Sequence, residues 1–152
     1  MSKYHEALNT LVDLQVDFLI TGTWALKEVY PDKLKNYKVT DCDIIVPNEM
    51  STIRKAIGLL KSIGWKTSVW EVVIDENVAA DFLTGKYYIR CKHQEFVLDI
   101  TYENDYYTWE ELNEGKTDLA NYQMVALNKI LRLKKIKNRS QDHEIIALFD
   151  RP

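Results

Sequence analysis

The chain has 152 residues, 46% hydrophobic and 28% charged, with a formal net charge of −3. That length suits one domain with its own core, and the composition excludes collagen-like, disordered and disulfide-scaffold classes. No apolar stretch approaches the ~20 residues that cross a bilayer, and no basic segment followed by an apolar one opens the chain as a leader. Cys42 and Cys91 are too few for a disulfide framework and do not have zinc-site spacing, so a reduced, cytoplasmic protein is expected. The charge is uneven. Six basic residues and no acidic one lie between Lys129 and Arg139, whereas Glu103, Asp105, Glu110, Glu111 and Glu114 gather just before them. A local patch, and not the whole molecule, would meet an anionic partner.

Apolar residues at helical spacing from Tyr4 to Leu14, with Ser2 as N-cap, predict a first helix. Asp17 to Ile20 reads as a buried strand ending at Thr21-Gly22, and Trp24 to Tyr30 as a short helix closed by Pro31. The lysine-rich segment 32–38 is a loop. Thr40 to Val46 is the strongest strand, stopped by Pro47-Asn48. A helix over 49–63 carries the stripe Ile53, Ala56, Ile57 and Leu60, with Gly64 at its C′ position. Thr67 to Ile74 predicts a strand, Asp75 to Thr84 a loop or short helix, and Tyr87–Cys91 with Glu95–Thr101 a hairpin. A short helix over 108–113 follows, then a long one over 118–136 and a last one over 140–149 with Ser140 as N-cap. The order predicts an α/β (α+β) fold: a mixed sheet of about five strands flanked by helices. No linker or repeat divides it, so 1–152 is read as one domain whose C-terminal part, about 118–150, is helical.

Asp41 and Asp43 are the leading candidates to carry chemistry. Side chains alternate along a strand, so both carboxylates share one face while Cys42 points to the other. Two like charges there repel unless a cation sits between them, and hard oxygen ligands suit Mg²⁺. The plain alternative is a solvent-facing edge on which two acids discourage pairing. Asp99 is the only acid of the apolar run Phe96–Thr101; with that strand beside 40–46 it would complete a three-carboxylate cluster able to clamp two metal ions. Gly22 and Thr23 stand at a strand-to-helix junction, where the backbone comes close to a phosphate and free amides face it. Within the basic run, Lys129 and Arg139 are the candidates for triphosphate or RNA contact, set against an ordinary solvated helix face.

Together these segments resemble the nucleotidyltransferase superfamily of DNA polymerase β in its small stand-alone form. Phe18–Leu26 is similar to its first motif, Thr40–Val46 to its Asp-x-Asp strand and Val97–Ile100 to its third. Arg139-Ser140-Gln141-Asp142 is similar to the closing Arg-x-Lys-Asp, with Gln141 in the lysine position and Thr23 where glycine or serine is usual. The long interval from Gly22 to Asp41 is closer to the antibiotic-modifying and AbiE-toxin-like branches. The resemblance implies two Mg²⁺ ions (or Mn²⁺) on Asp41 and Asp43, with Asp99 holding one of them and deprotonating an acceptor hydroxyl. It implies Gly22 and Thr23 on the β- and γ-phosphates of an NTP, and transfer of NMP to a small molecule, protein or RNA with release of pyrophosphate. A second subunit or a partner protein could complete such a small site. The rival readings are a non-catalytic, antitoxin-like or regulatory binding module on the same fold, and a metal-dependent nuclease.

Overall fold

Local capping signals begin some of the helices. Ser2 accepts a hydrogen bond from the His5 amide and starts α1 (Lys3–Asp13), whose stripe Tyr4, Ala7, Leu8 and Leu11 is buried. β1 (Leu19–Thr21) runs into α2 (Gly22–Val29), and β2 (Asp41–Ile45) leads to α3 (Met50–Ser62), which buries the four residues of the stripe expected for it. β3 (Lys66–Val69), β4 (Val72–Val73), α4 (Ala80–Leu83), β5 (Tyr88–His93) and β6 (Phe96–Thr101) follow. After them come α5 (Trp109–Asn113), β7 (Thr117–Leu119), β8 (Tyr122–Met124), α6 (Leu127–Lys137) and α7 (Ser140–Phe149). This computed structural model describes residues 2–150. Among them no helix is long and apolar enough to cross a membrane.

The strands form one mixed sheet of eight, in the order β4-β3-β5-β6-β2-β1-β8-β7. The β2–β6 and β1–β8 pairs are parallel and the others antiparallel. Pairing register divides the two faces. Cys42, Leu98 and Cys91 lie in one cross-strand row and Ile44, Ile100 and Ile89 in the next, all buried on the core side. Each fully buried aliphatic side chain of this kind contributes about 1.5–3 kcal/mol. α1 and α3 pack against each other, α1 also on β6 and α3 on β3. Both cysteines are free, and burial pushes their thiols well above the ordinary range, so they stay protonated.

The α/β class holds, but the sheet has eight strands and not about five. The extra strands come from three short segments that period counting does not resolve. The run 67–74 is broken by a two-residue turn in which Trp70 and Glu71 both take positive φ (47° and 69°), the geometry a tight hairpin needs but without the glycine that announces it. The expected long helix over 118–136 begins only at Leu127. Its first third is the β7–β8 hairpin, turning at Ala120 (φ 53°), and β8 extends the sheet beside β1 through Ile20 and Met124. Leu119, Tyr122 and Ala126 repeat at helical spacing and mimic a helix, yet the pairing opportunity at the sheet edge prevails. The β5–β6 turn sits at Gln94-Glu95 and not at 92–94. α7 starts from Arg139 as N-cap, with Ser140 already inside the helix. The 32–38 loop is anchored by fully buried Leu34 and by Lys27, whose ammonium donates to the Tyr37 carbonyl at 2.8 Å.

Candidate active site

One cross-strand row builds the centre of the site. Thr21 on β1 is registered with Asp43 on β2, Asp43 with Asp99 on β6, and Asp99 with Arg90 on β5. Asp41 lies two residues before Asp43, on the same face. Asp41, Asp43 and Asp99 each offer a carboxylate oxygen, and these oxygens lie within 4.8 Å of one another. The strand alternation and the parallel β2–β6 pairing therefore bring the three acids together, on the face opposite the core.

Three like charges so close carry an electrostatic cost. Burial, reinforced by the charges of Asp41 and Asp99, raises the Asp43 carboxyl to about 7, even though Lys137 and Lys134 pull it down. An all-oxygen donor set of this kind could hold a hard divalent cation. Gly22 closes the site from the side. It adopts φ +77°, and a Cβ built on it would lie 2.5 Å from Asp43 Oδ2, so the backbone of the β1–α2 junction touches the carboxylate in a way that only glycine permits. Thr21 precedes it as N-cap of α2 without a side-chain capping bond, which leaves the first amides of that helix available.

Cations come in from the C-terminal helices. Lys134 is buried, and its ammonium donates to Thr23 Oγ1 at 2.9 Å and pairs with Asp142 Oδ1 at 3.6 Å. Asp142 is fully buried. It also accepts both arms of Arg139, Nε at 2.7 Å and a terminal nitrogen at 3.1 Å, and the Arg139 amide at 3.2 Å. Burial pushes the Asp142 carboxyl up, but the hydrogen bonds and charge of Arg139, with the charge of Lys134, outweigh it and hold it below its ordinary value. Burial in turn lowers the Lys134 ammonium. Asp142 thus organises Lys134 and Arg139 at the edge of the acidic cluster.

Of the residues singled out in the sequence, Gly22, Thr23, Asp41, Asp43, Asp99 and Arg139 fall in this one region. Lys129 does not join them. Its ammonium caps the end of α5 by donating to the carbonyls of Glu111 and Glu114, and it lies over the Tyr107 ring. Its place is taken by Lys134, which sequence reading passed over. The available signal was its position in line with partly buried Leu127 and buried Ile130: a lone cation on an apolar helix face. Arg90 was also missed. It forks onto Asp99, Nε to Oδ1 and a terminal nitrogen to Oδ2, both at 3.0 Å, a contact created by strand register alone.

No family model matches the chain, and no curated protein matches it in sequence. Among solved structures it matches the crystal structure of ANT(2″)-Ia, an aminoglycoside nucleotidyltransferase, in complex with adenylyl-2″-tobramycin. The match covers 95% of this chain and 84% of that one, with a TM-score of 0.61 and 14% identity. The chain shares the overall fold of that structure. On this fold the three aspartates, the glycine junction and the Lys134–Asp142–Arg139 group fall in one region.

Proposed function

We propose that the chain is a divalent-metal-dependent nucleotidyltransferase that moves an NMP from an NTP to a hydroxyl acceptor. The observation that carries this reading is the meeting of Asp41, Asp43 and Asp99 within 4.8 Å on neighbouring strands, beside a glycine that leaves no room for a side chain. Asp41 and Asp43 would hold two Mg²⁺ ions, with Asp99 on one of them. Bound there, the ions supply charge neutralisation for the triphosphate. Gly22, Thr23 and the open amides of α2 cradle the β- and γ-phosphates, and Lys134 and Arg139 add the positive charge facing them. Asp99 lies at the opposite end of the cluster, where one of its oxygens takes the acceptor proton while Arg90 holds the carboxylate in place. The acceptor oxygen forms its bond to the α-phosphorus as the bond to pyrophosphate breaks.

Thr23 supports the reading despite its β-branched side chain, because its hydroxyl is directed by Lys134. The Arg90 fork favours the second reading, a non-catalytic binding module, since it already supplies Asp99 with a counter-charge. Pyrophosphate release separates the two. The chain incubated with Mg²⁺, an NTP and candidate acceptors is expected to release pyrophosphate, and Asp43→Asn to release none while unfolding cooperatively. NTP binding without any release from the unmodified chain would select the binding module.

A further inference from the structure

The same sheet face continues past the carboxylates, away from the phosphate-binding side. Register places Lys66 on β3 opposite Lys92 on β5, in the row that ends at Asp41, and Ser68 opposite Arg90 in the row that ends at Asp99 and Asp43. Tyr88 lies two residues from Arg90 on the same face, 38% exposed, with the guanidinium 5.8 Å from its ring centre. Lys66 and Lys92 are both exposed, and among the described residues neither makes an ion pair. Two lysines directly opposed across a strand pair repel, and among the described residues no ion pair offsets them. An acidic cleft nearby, about 310 Å³ beyond the ends of β2 and β6, has its carboxylates engaged. Glu103 takes the amides of Gly85 and Tyr87, and Asp105 takes the Tyr87 hydroxyl.

Resting on the nucleotidyltransferase reading, we infer that this open β3–β5 face, Lys66, Lys92, Arg90 and Tyr88, seats the acceptor, and that the acceptor is the hydroxyl end of a single-stranded polynucleotide. In-line displacement puts the attacking oxygen opposite the leaving pyrophosphate. The strand order β1-β2-β6-β5-β3 has the phosphate cradle on one side of the carboxylates and this face on the other. The lysines meet backbone phosphates, and the Tyr88 ring gives a base a stacking surface, the combination single strands use.

The test is anisotropy of a short labelled single-stranded RNA on the full chain across a salt series, beside thermal unfolding with Mg²⁺ and NTP. Lys66→Ala/Lys92→Ala is expected to lower the slope of log affinity against log salt by about 1.4, at ~0.7 per phosphate contact. Tyr88→Ala is expected to weaken binding on the order of tenfold. Lys55→Ala/Lys135→Ala, an equal charge loss elsewhere, should leave both nearly unchanged, and the NTP shift should survive in every variant. Equal losses in the two double variants, or NMP transfer to tobramycin with none to RNA, overturn the inference. An NTP shift with no RNA binding overturns the acceptor assignment alone. RNA binding with no NTP shift overturns the catalytic reading beneath it.

Discussion

Gly22 and Asp43 touch: a Cβ on Gly22 would stand 2.5 Å from Asp43 Oδ2, in a backbone conformation, φ +77°, that other residues resist. The junction that would meet the triphosphate and the carboxylate that would hold metal are thus one packed unit. Gly22→Ala must move either the strand-to-helix turn or the Asp43 side chain. The left-handed conformation alone costs about 1–2 kcal/mol. The expected result is a lower melting temperature together with loss of Mg²⁺-dependent NTP binding, and calorimetry with NTP measures both. An alanine variant that binds NTP as the unmodified chain does would show the contact to be incidental.

Asp43 gives the site a pH dependence. Its carboxyl is raised from 3.8 to about 7 in the fold, so the metal-free folded chain keeps a proton there that the unfolded chain has lost. Between about pH 4 and 7 this group therefore lowers stability as pH rises, and above about 7 its effect levels off. A divalent ion must displace that proton. Apparent Mg²⁺ affinity should climb between pH 6 and 7 and flatten above it, and the Mg²⁺-induced rise in melting temperature should be larger at pH 8 than at pH 6. Melting curves at the two pH values check the direction.

Lys134 and Lys129 make different contacts from one helix, and their variants should behave differently. Lys134→Met removes the donor on Thr23 and one cation from Asp142, which keeps its fork to Arg139. Stability should fall by about 1–3 kcal/mol, and NTP affinity roughly tenfold or more. Lys129→Ala loosens only the end of α5, so NTP affinity should stay unchanged while melting temperature drops by a few degrees. Titration of NTP into both variants distinguishes them.

Arg90→Gln breaks the two 3.0 Å bonds to Asp99 and leaves the phosphate side untouched. Transfer should slow on the order of tenfold or more through Asp99, a loss in the range of general-base positioning. NTP affinity should hold within about twofold. A fall in NTP affinity as large as the fall in turnover would place Arg90 on the nucleotide and not on the acceptor side.

The acidic strand was legible because side chains alternate along a strand, which puts Asp41 and Asp43 on one face, and because Gly22 marks a turn. α1 and α3 were legible because their buried stripes keep one helical period. What sequence could not supply was register. Nothing along the chain says that Arg90 faces Asp99, or that Lys66 faces Lys92; both follow from pairing between distant strands. The β7–β8 hairpin was hidden because Ala120, and not glycine, takes the left-handed position, and because its apolar spacing imitates the helix that follows. Lys134 was hidden among neighbours of the same charge. Burial separates it from Lys135 and Lys137, which stay exposed.

The most direct measurement is thermal unfolding of the chain with each NTP in the presence and absence of Mg²⁺, beside Asp43→Asn. An NTP at about 100 times its Kd should stabilise the fold by roughly 2.7 kcal/mol, a rise on the order of 2–4 °C for each kcal/mol in a domain of this size. The account expects that rise only with Mg²⁺, and expects Asp43→Asn to abolish it without altering the cooperativity of unfolding. A shift that is independent of Mg²⁺, or one that persists in Asp43→Asn, would contradict the assignment of the three aspartates as the nucleotide–metal centre.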